Sequence, residues 1–307
     1  MSLSPQSTLT RRRLLASLVT LAALAASAVV PAWAADFKSD RINVTAEGTG
    51  SDVILIPGLN SSPRVWREMI RAVPGHRYHL VQVSGFAGQA KGGNTEGPVA
   101  APVAEEIARY IAASGLNKPA VIGHSMGGTI GLMLAARHPD LASRLMVVDM
   151  IPFLGALFGP PGTTPDSIKP MADSILVQMR APDSPTRAAR SAAMIDGMVN
   201  TVAMRPGALD DSLKSDPDVS ARAYHELIVT DLAPELGKIK VPTTVLYVVP
   251  KGMGVTDEKM DAAYKAAYAP LKGVTLKRIP DSAHFIMWDQ AEKFQADVKG
   301  FLGEAKP

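Results

Sequence analysis

Between the apolar run Ala120-Val121-Ile122 and a helix-like stretch from Thr129 to Arg137, the chain reads Gly123-His124-Ser125-Met126-Gly127-Gly128. No other feature restricts the fold as strongly. Strand, Gly-x-Ser-x-Gly, helix is the order in which this spacing makes a sharp turn that lifts a serine off the end of a strand. The turn is so tight that a side chain on either flanking glycine would clash. The Ser125 hydroxyl is left exposed with a helix N-terminus behind it, where free N–H groups and the helix dipole stabilise developing negative charge. Ser125 is therefore a candidate nucleophile.

The surrounding pattern supplies a sheet for that turn. Apolar strand-like runs occur at 42–46, 53–57, 79–84, 120–123, 145–149, 243–249 and 274–279. They alternate with helical stretches at 62–73, 99–114, 127–137, 259–268 and 290–302. Such alternation indicates βαβ units, hence an α/β fold with a mostly parallel central sheet flanked by helices. The regularity breaks between Met150 and about Gly237. Helical stretches at 171–180, 186–202 and 219–230 follow an apolar opening, Ile151 to Phe158, and prolines at 165, 170, 182, 185, 206 and 217 punctuate them. This insertion is rich in methionine (Met171, Met179, Met194, Met198, Met204), a residue that suits an adaptable apolar pocket and equally suits ordinary packing.

A serine needs a base within hydrogen-bond reach to act as a nucleophile. Of the six histidines, His284 follows the last strand in a short polar turn, on the side of the sheet where Ser125 emerges. It is the expected base. His124, beside Ser125 on a tight turn, points elsewhere and is expected to line or support the site. His138 ends a helix, His76 and His79 fall before or within an early strand, and His225 lies in the insertion. The absence of cysteine excludes disulfides, thiolate metal sites and a cysteine nucleophile. No His-Glu-x-x-His and no His/Asp cluster at ligand spacing is present, so neither a metal nor another cofactor is expected.

Together these segments resemble the α/β-hydrolase superfamily over roughly residues 40 to 305. Val53-Ile54-Leu55-Ile56 running into Pro57-Gly58-Leu59-Asn60 is similar to its oxyanion strand and loop, with Pro57 where a histidine is usual. Val81 to Gly88 is similar to its next strand and turn, with Gln82 in place of the usual Asp. Val274 to Ile279 followed by Pro280-Asp281-Ser282-Ala283-His284-Phe285 resembles its last strand and histidine loop. The resemblance implies an oxyanion hole made by the backbone N–H groups of Leu59 and Met126. It also implies a helical cap, residues 150–237, inserted between the superfamily's strands six and seven, with 35–149 and 238–307 as the core. Phe153, Leu154, Leu157 and Phe158, entering that cap, are candidate substrate contacts.

The third member of a triad stays open between two acids. The superfamily usually places it directly after strand seven, yet Thr243 to Val249 exits into Pro250-Lys251-Gly252-Met253-Gly254, without a carboxylate. Asp257 comes later, in what reads as the first turn of a helix, where a carboxylate is already explained by the helix dipole. Asp149 instead ends the strand Leu145-Met146-Val147-Val148. Asp149 is the preferred expectation and Asp257 the alternative. The activity implied is a serine hydrolase working through an acyl-enzyme on small or medium apolar carboxylic esters. Lactonase, amidase or peptidase, and perhydrolase chemistry remain open, as does a binding protein that keeps the fold without turnover.

Residues 1–34 read as an export leader. Arg11-Arg12-Arg13 is its basic region, Leu14 to Val30 its apolar core, and Ala32-Trp33-Ala34 its cleavage site, with the arginine pair suiting a twin-arginine signal. The expected location is periplasmic or secreted, without stable membrane association after cleavage. The leader holds three arginines and no acid, so the remainder carries 29 basic and 29 acidic residues. That balance gives no electrostatic case for nucleic acid, and a small-molecule ester is the expected partner.

Overall fold

A computed structural model describes residues 37–180, 185–250 and 254–303. The leader expected over 1–34 lies outside the described residues. Seven strands form one sheet in the order β1-β3-β2-β4-β5-β6-β7. They are β1 (Ile42–Gly48), β2 (Ser51–Ile56), β3 (His76–Val83), β4 (Ala120–His124), β5 (Arg144–Val148), β6 (Thr243–Tyr247) and β7 (Thr275–Arg278). Only β1 runs antiparallel, against β3; every other pairing is parallel. Parallel strands are covered on both faces, which is why β2, β4 and β5 are continuous apolar runs. Alternate residues divide between the two cores. Ile54 and Ile56 join one with α2 (Ala100–Ala113), α3 (Met126–Arg137) and α8 (Asp257–Ala267). Val53 and Leu55 join the other with α1 (Arg67–Ala72), α9 (Ile286–Asp289) and α10 (Ala291–Leu302).

The topology decides where a site can form. β2 has β3 on one side and β4 on the other, so the chain reverses its lateral direction there, leaving a crevice at the carboxyl ends of β2 and β4. Because the strands are parallel, the segments leaving β2, β4, β5, β6 and β7 all emerge along that one edge. Leu59, Ser125, Asp149 and His284 belong to four of these segments.

Among the described residues, four α-helices lie between β5 and β6: α4 (Pro165–Arg180), α5 (Pro185–Met198), α6 (Arg205–Lys214) and α7 (Pro217–Val229). α4 packs on α7, and α5 on α6. The sequence pattern is corrected here in four respects. Pro165, Pro206 and Pro217, read as breaks, stand in first turns, where a missing N–H costs nothing. α6 was consequently missed altogether, and α5 ends at Met198 rather than Val202. Pro170 is carried inside α4.

Candidate functional site

Ser125 joins β4 to α3 with φ 54° and ψ −123°, a conformation a non-glycine residue adopts only when its surroundings enforce it. The enforcement is visible in the neighbouring glycines. A Cβ on Gly123 would lie 2.1 Å from the Gly127 carbonyl oxygen, and one on Gly127 would lie 2.1 Å from that of Ile56. Gly58 is also close packed, though less severely, since a Cβ there would sit 3.0 Å from Ser125 Cβ. The chain leaving β2 is thus pressed against the serine. Ser61 N–H closes a turn onto Gly58 at 3.1 Å, and Asn60 takes φ 60°, which asparagine tolerates. Leu59 follows Gly58 and Met126 follows Ser125 in this arrangement, and neither backbone N–H donates to another described residue.

Register carries Asp149 to the same place. His124 pairs with Val148 across β4 and β5, so the residues that follow, Ser125 and Asp149, leave the sheet side by side. Ser125 N–H donates to Val148 O at 2.9 Å, and Asp149 N–H to Leu246 O at 2.7 Å. Asp149, itself at φ 53°, has His284 Nδ1 on its Oδ2 at 2.6 Å. Its Oδ1 accepts from Val248 N–H at 3.1 Å and from the Tyr264 hydroxyl at 3.3 Å. Burial, and next the charge on Asp149, push the Tyr264 phenol well above its ordinary range, which keeps it a donor. Asp257 lies elsewhere. It opens α8 and pairs with Arg278, while the Thr256 hydroxyl caps the same helix.

His124 packs against His284. Its ring is 1% exposed, 4.6 Å from the His284 ring and 4.8 Å from Phe285. Nε2–H donates to the His284 carbonyl at 3.1 Å, so Nδ1 holds the lone pair and has no partner among the described residues. The His284 loop is tied down further along by Asp289, which accepts from Ala283, Asn200 and Thr201 N–H groups. His79 makes a separate buried contact, between Asp52 at 2.8 Å and the Tyr110 hydroxyl at 2.7 Å. His138 meets Glu105 and His225 meets Asp173, each at 2.8 Å.

The four apolar residues at the start of the insertion separate. Phe153 is buried with Ile168, Ala172 and Ile228 in a small core of the insertion, with Leu154 packed beside it. Leu157 and Phe158 are 46% and 41% exposed. Among the described residues, no group of His, Asp and Glu is placed to hold a metal ion. The sequence pattern passed over Tyr264 and Asp289. The available signal for the first was the i, i+4 spacing of Tyr264 and Tyr268, which puts both hydroxyls on the sheet-facing side of α8; Tyr268 donates to Met150 O at 2.7 Å.

The buried histidines set a pH dependence of stability. Burial, then repulsion from His284, holds His124 well below its ordinary value, and burial lowers His79 despite Asp52. The unfolded chain binds these protons below a pH of about 6.5, and the folded chain binds them only at lower pH. Stability should therefore fall as pH drops through that value, by at most about 1.4 kcal/mol per pH unit for each ring. A calorimetric Tm that stays flat from a pH of about 7.5 to about 5 would contradict this.

Comparison with known proteins agrees with this architecture. A family model described as alpha/beta hydrolase fold matches residues 53–291. The RutD protein of Yersinia enterocolitica, which carries the name of a carbamate hydrolase, is 31% identical over 103 residues, 33% of this chain and 37% of that protein. This chain thus spans little more than a third of that relative's length. The pimeloyl-[acyl-carrier protein] methyl ester esterase of Vibrio cholerae is 24% identical over 201 residues, covering 65% of this chain and 76% of the esterase. Among solved structures, an esterase from Exiguobacterium antarcticum superposes with a TM-score of 0.70 at 19% identity, covering 85% of this chain and 95% of that one.

Proposed function

Because the chain belongs to the alpha/beta hydrolase fold family, we propose that it is a serine hydrolase acting on small or medium apolar carboxylic esters. One observation carries this reading: the 2.6 Å contact of Asp149 with His284, beside a serine held at positive φ on the same sheet edge. In this scheme Ser125 Oγ adds to the ester carbonyl carbon while its proton passes to His284 Nε2. The Leu59 and Met126 N–H groups receive the negative charge on the carbonyl oxygen. Collapse breaks the bond to the alkoxy oxygen, which leaves as the alcohol with the proton from His284. Water, deprotonated by the same nitrogen, then releases the acid and restores Ser125. Asp149 holds Nδ1–H throughout, so that Nε2 is free to accept.

The esterase named among the relatives and the esterase among the solved structures support an ester substrate. We read the helices between β5 and β6 as a cap over the site. The test is a nitrophenyl ester series from acetate to palmitate, run beside labelling with a fluorophosphonate and mass mapping of the adduct. Turnover with the adduct on Ser125 is expected. Folded protein that hydrolyses none of the esters and takes no label would sink the proposal in favour of a binding role.

The same reading extends to location. The order of basic, apolar and small residues over 11–34 supports export to the periplasm or beyond. N-terminal sequencing of the exported protein should begin at or near Ala35, and an intact Met1 there would refute it.

A further inference from the structure

The segment that follows Leu59 is held from outside the sheet. Ser62 donates both its N–H, at 3.1 Å, and its hydroxyl, at 2.6 Å, to Oδ2 of Asp211 on α6. Arg64 holds the other oxygen of the same carboxylate at 3.0 Å and donates to Gly207 O at 3.1 Å. Asn60 is gripped next to these, its side-chain amide 2.6 Å from the Ser220 hydroxyl on α7. Three residues of one segment, Asn60, Ser62 and Arg64, are therefore fastened to two helices of the insertion.

Asp211 is 4% exposed, and a carboxylate so far from water is costly unless its lone pairs are satisfied. All the satisfying donors come from residues 62–64. Docking the insertion alone would not need a buried charge, because the helices already bury apolar residues such as Ala208, Val219 and Leu227. What the charge adds is direction. A carboxylate receiving an N–H, an O–H and a guanidinium constrains the path of the loop directionally, as apolar contacts do not, and that loop runs from Gly58 and Leu59 next to Ser125.

We propose that Asp211 is a positioning residue for the oxyanion loop, so that the insertion is part of the catalytic framework as well as a cover. This rests on the serine-hydrolase reading above. Misplacement of a reacting or stabilising group by about an ångström can cost on the order of 100-fold, and loss of one oxyanion donor about 100- to 1,000-fold.

The experiment uses the full chain with Ser125→Ala, Asp211→Asn, Ser62→Ala and, as a control, Asp196→Asn, whose carboxylate makes an exposed pair with Arg205. Circular dichroism checks the fold of each variant. The assay is nitrophenyl acetate hydrolysis, together with inhibition by a trifluoromethyl ketone and by the matching secondary alcohol, which forms no oxyanion. Asp211→Asn should lower kcat by roughly 10- to 100-fold with KM within about threefold, and Ser62→Ala should do the same less severely, roughly 3- to 10-fold. The ketone should weaken by the factor lost in kcat/KM, with the alcohol and the control variant unaffected. A folded Asp211→Asn with unchanged kcat, or a loss confined to KM, overturns the inference while leaving the serine reading intact if Ser125→Ala is dead. Should Asp211→Asn fail to fold, unchanged kcat in Ser62→Ala overturns it. Undiminished turnover in Ser125→Ala overturns both.

Discussion

Ser125→Ala and His284→Ala are each expected to lower kcat for ester hydrolysis by about 10⁶-fold, and the double variant by no more than either alone. In the proposed scheme the two side chains act as one unit. An imidazole without the hydroxyl has no proton to take, and a hydroxyl without the imidazole stays un-ionised at neutral pH. Residual catalysis above the rate in water, about 10³- to 10⁴-fold, should remain from the oxyanion donors and substrate binding. KM should move little, because neither group contributes much to holding the ester before bonds begin to change. His138→Ala is the matched comparison, since that ring sits at the end of α3 on Glu105. Steady-state kinetics on one ester decide the matter. Additive losses in the double variant, or equal losses from His138→Ala, would mean that Ser125 and His284 are not working partners.

The strands and the turn after β4 were legible because their signals are local. Ala120 to Gly128 specifies its own geometry: two glycines leave no room for side chains, and the strand before them is apolar on both faces. The strand ends were legible for the same reason, and their order alone puts Asp149 and His284 on one edge of the sheet. The insertion was harder. Pro206 reads as a break in the sequence, yet it occupies the first turn of α6, and only the capping context distinguishes the two. Phe153 and Phe158 look alike as members of one apolar run, but a 3₁₀ turn at Leu154–Leu157 buries one and exposes the other. Asp211 could not be found at all from the sequence. Its partners are Ser62 and Arg64, 149 and 147 residues away, and nothing in its own surroundings marks it as more than a helix-surface acid.

Asp149→Asn is expected to lower kcat by roughly 10⁴-fold, as the equivalent change does in serine proteases, whereas Asp257→Asn should be nearly silent. The direction follows from which atoms can turn around. Oδ1 of Asp149 accepts from Val248 N–H, a backbone donor fixed by the strand it leaves. A carboxamide in this position must keep its oxygen on that N–H, since the NH2 group would set donor against donor. The NH2 is thereby directed to where Oδ2 now meets His284 Nδ1. To accept from it, the imidazole must give up its Nδ1 proton and carry one on Nε2 instead. That tautomer cannot take a proton from Ser125, so the shape survives and the chemistry does not. Tyr264 does not rescue the site, because its hydroxyl can rotate to suit either atom at the Oδ1 position. Asp257 faces none of this: its carboxylate pairs with Arg278 on β7, and the amide still sits in the first turn of α8. An Asp149→Asn enzyme that keeps more than about a tenth of wild-type kcat, or a severe Asp257→Asn, would remove Asp149 from the triad.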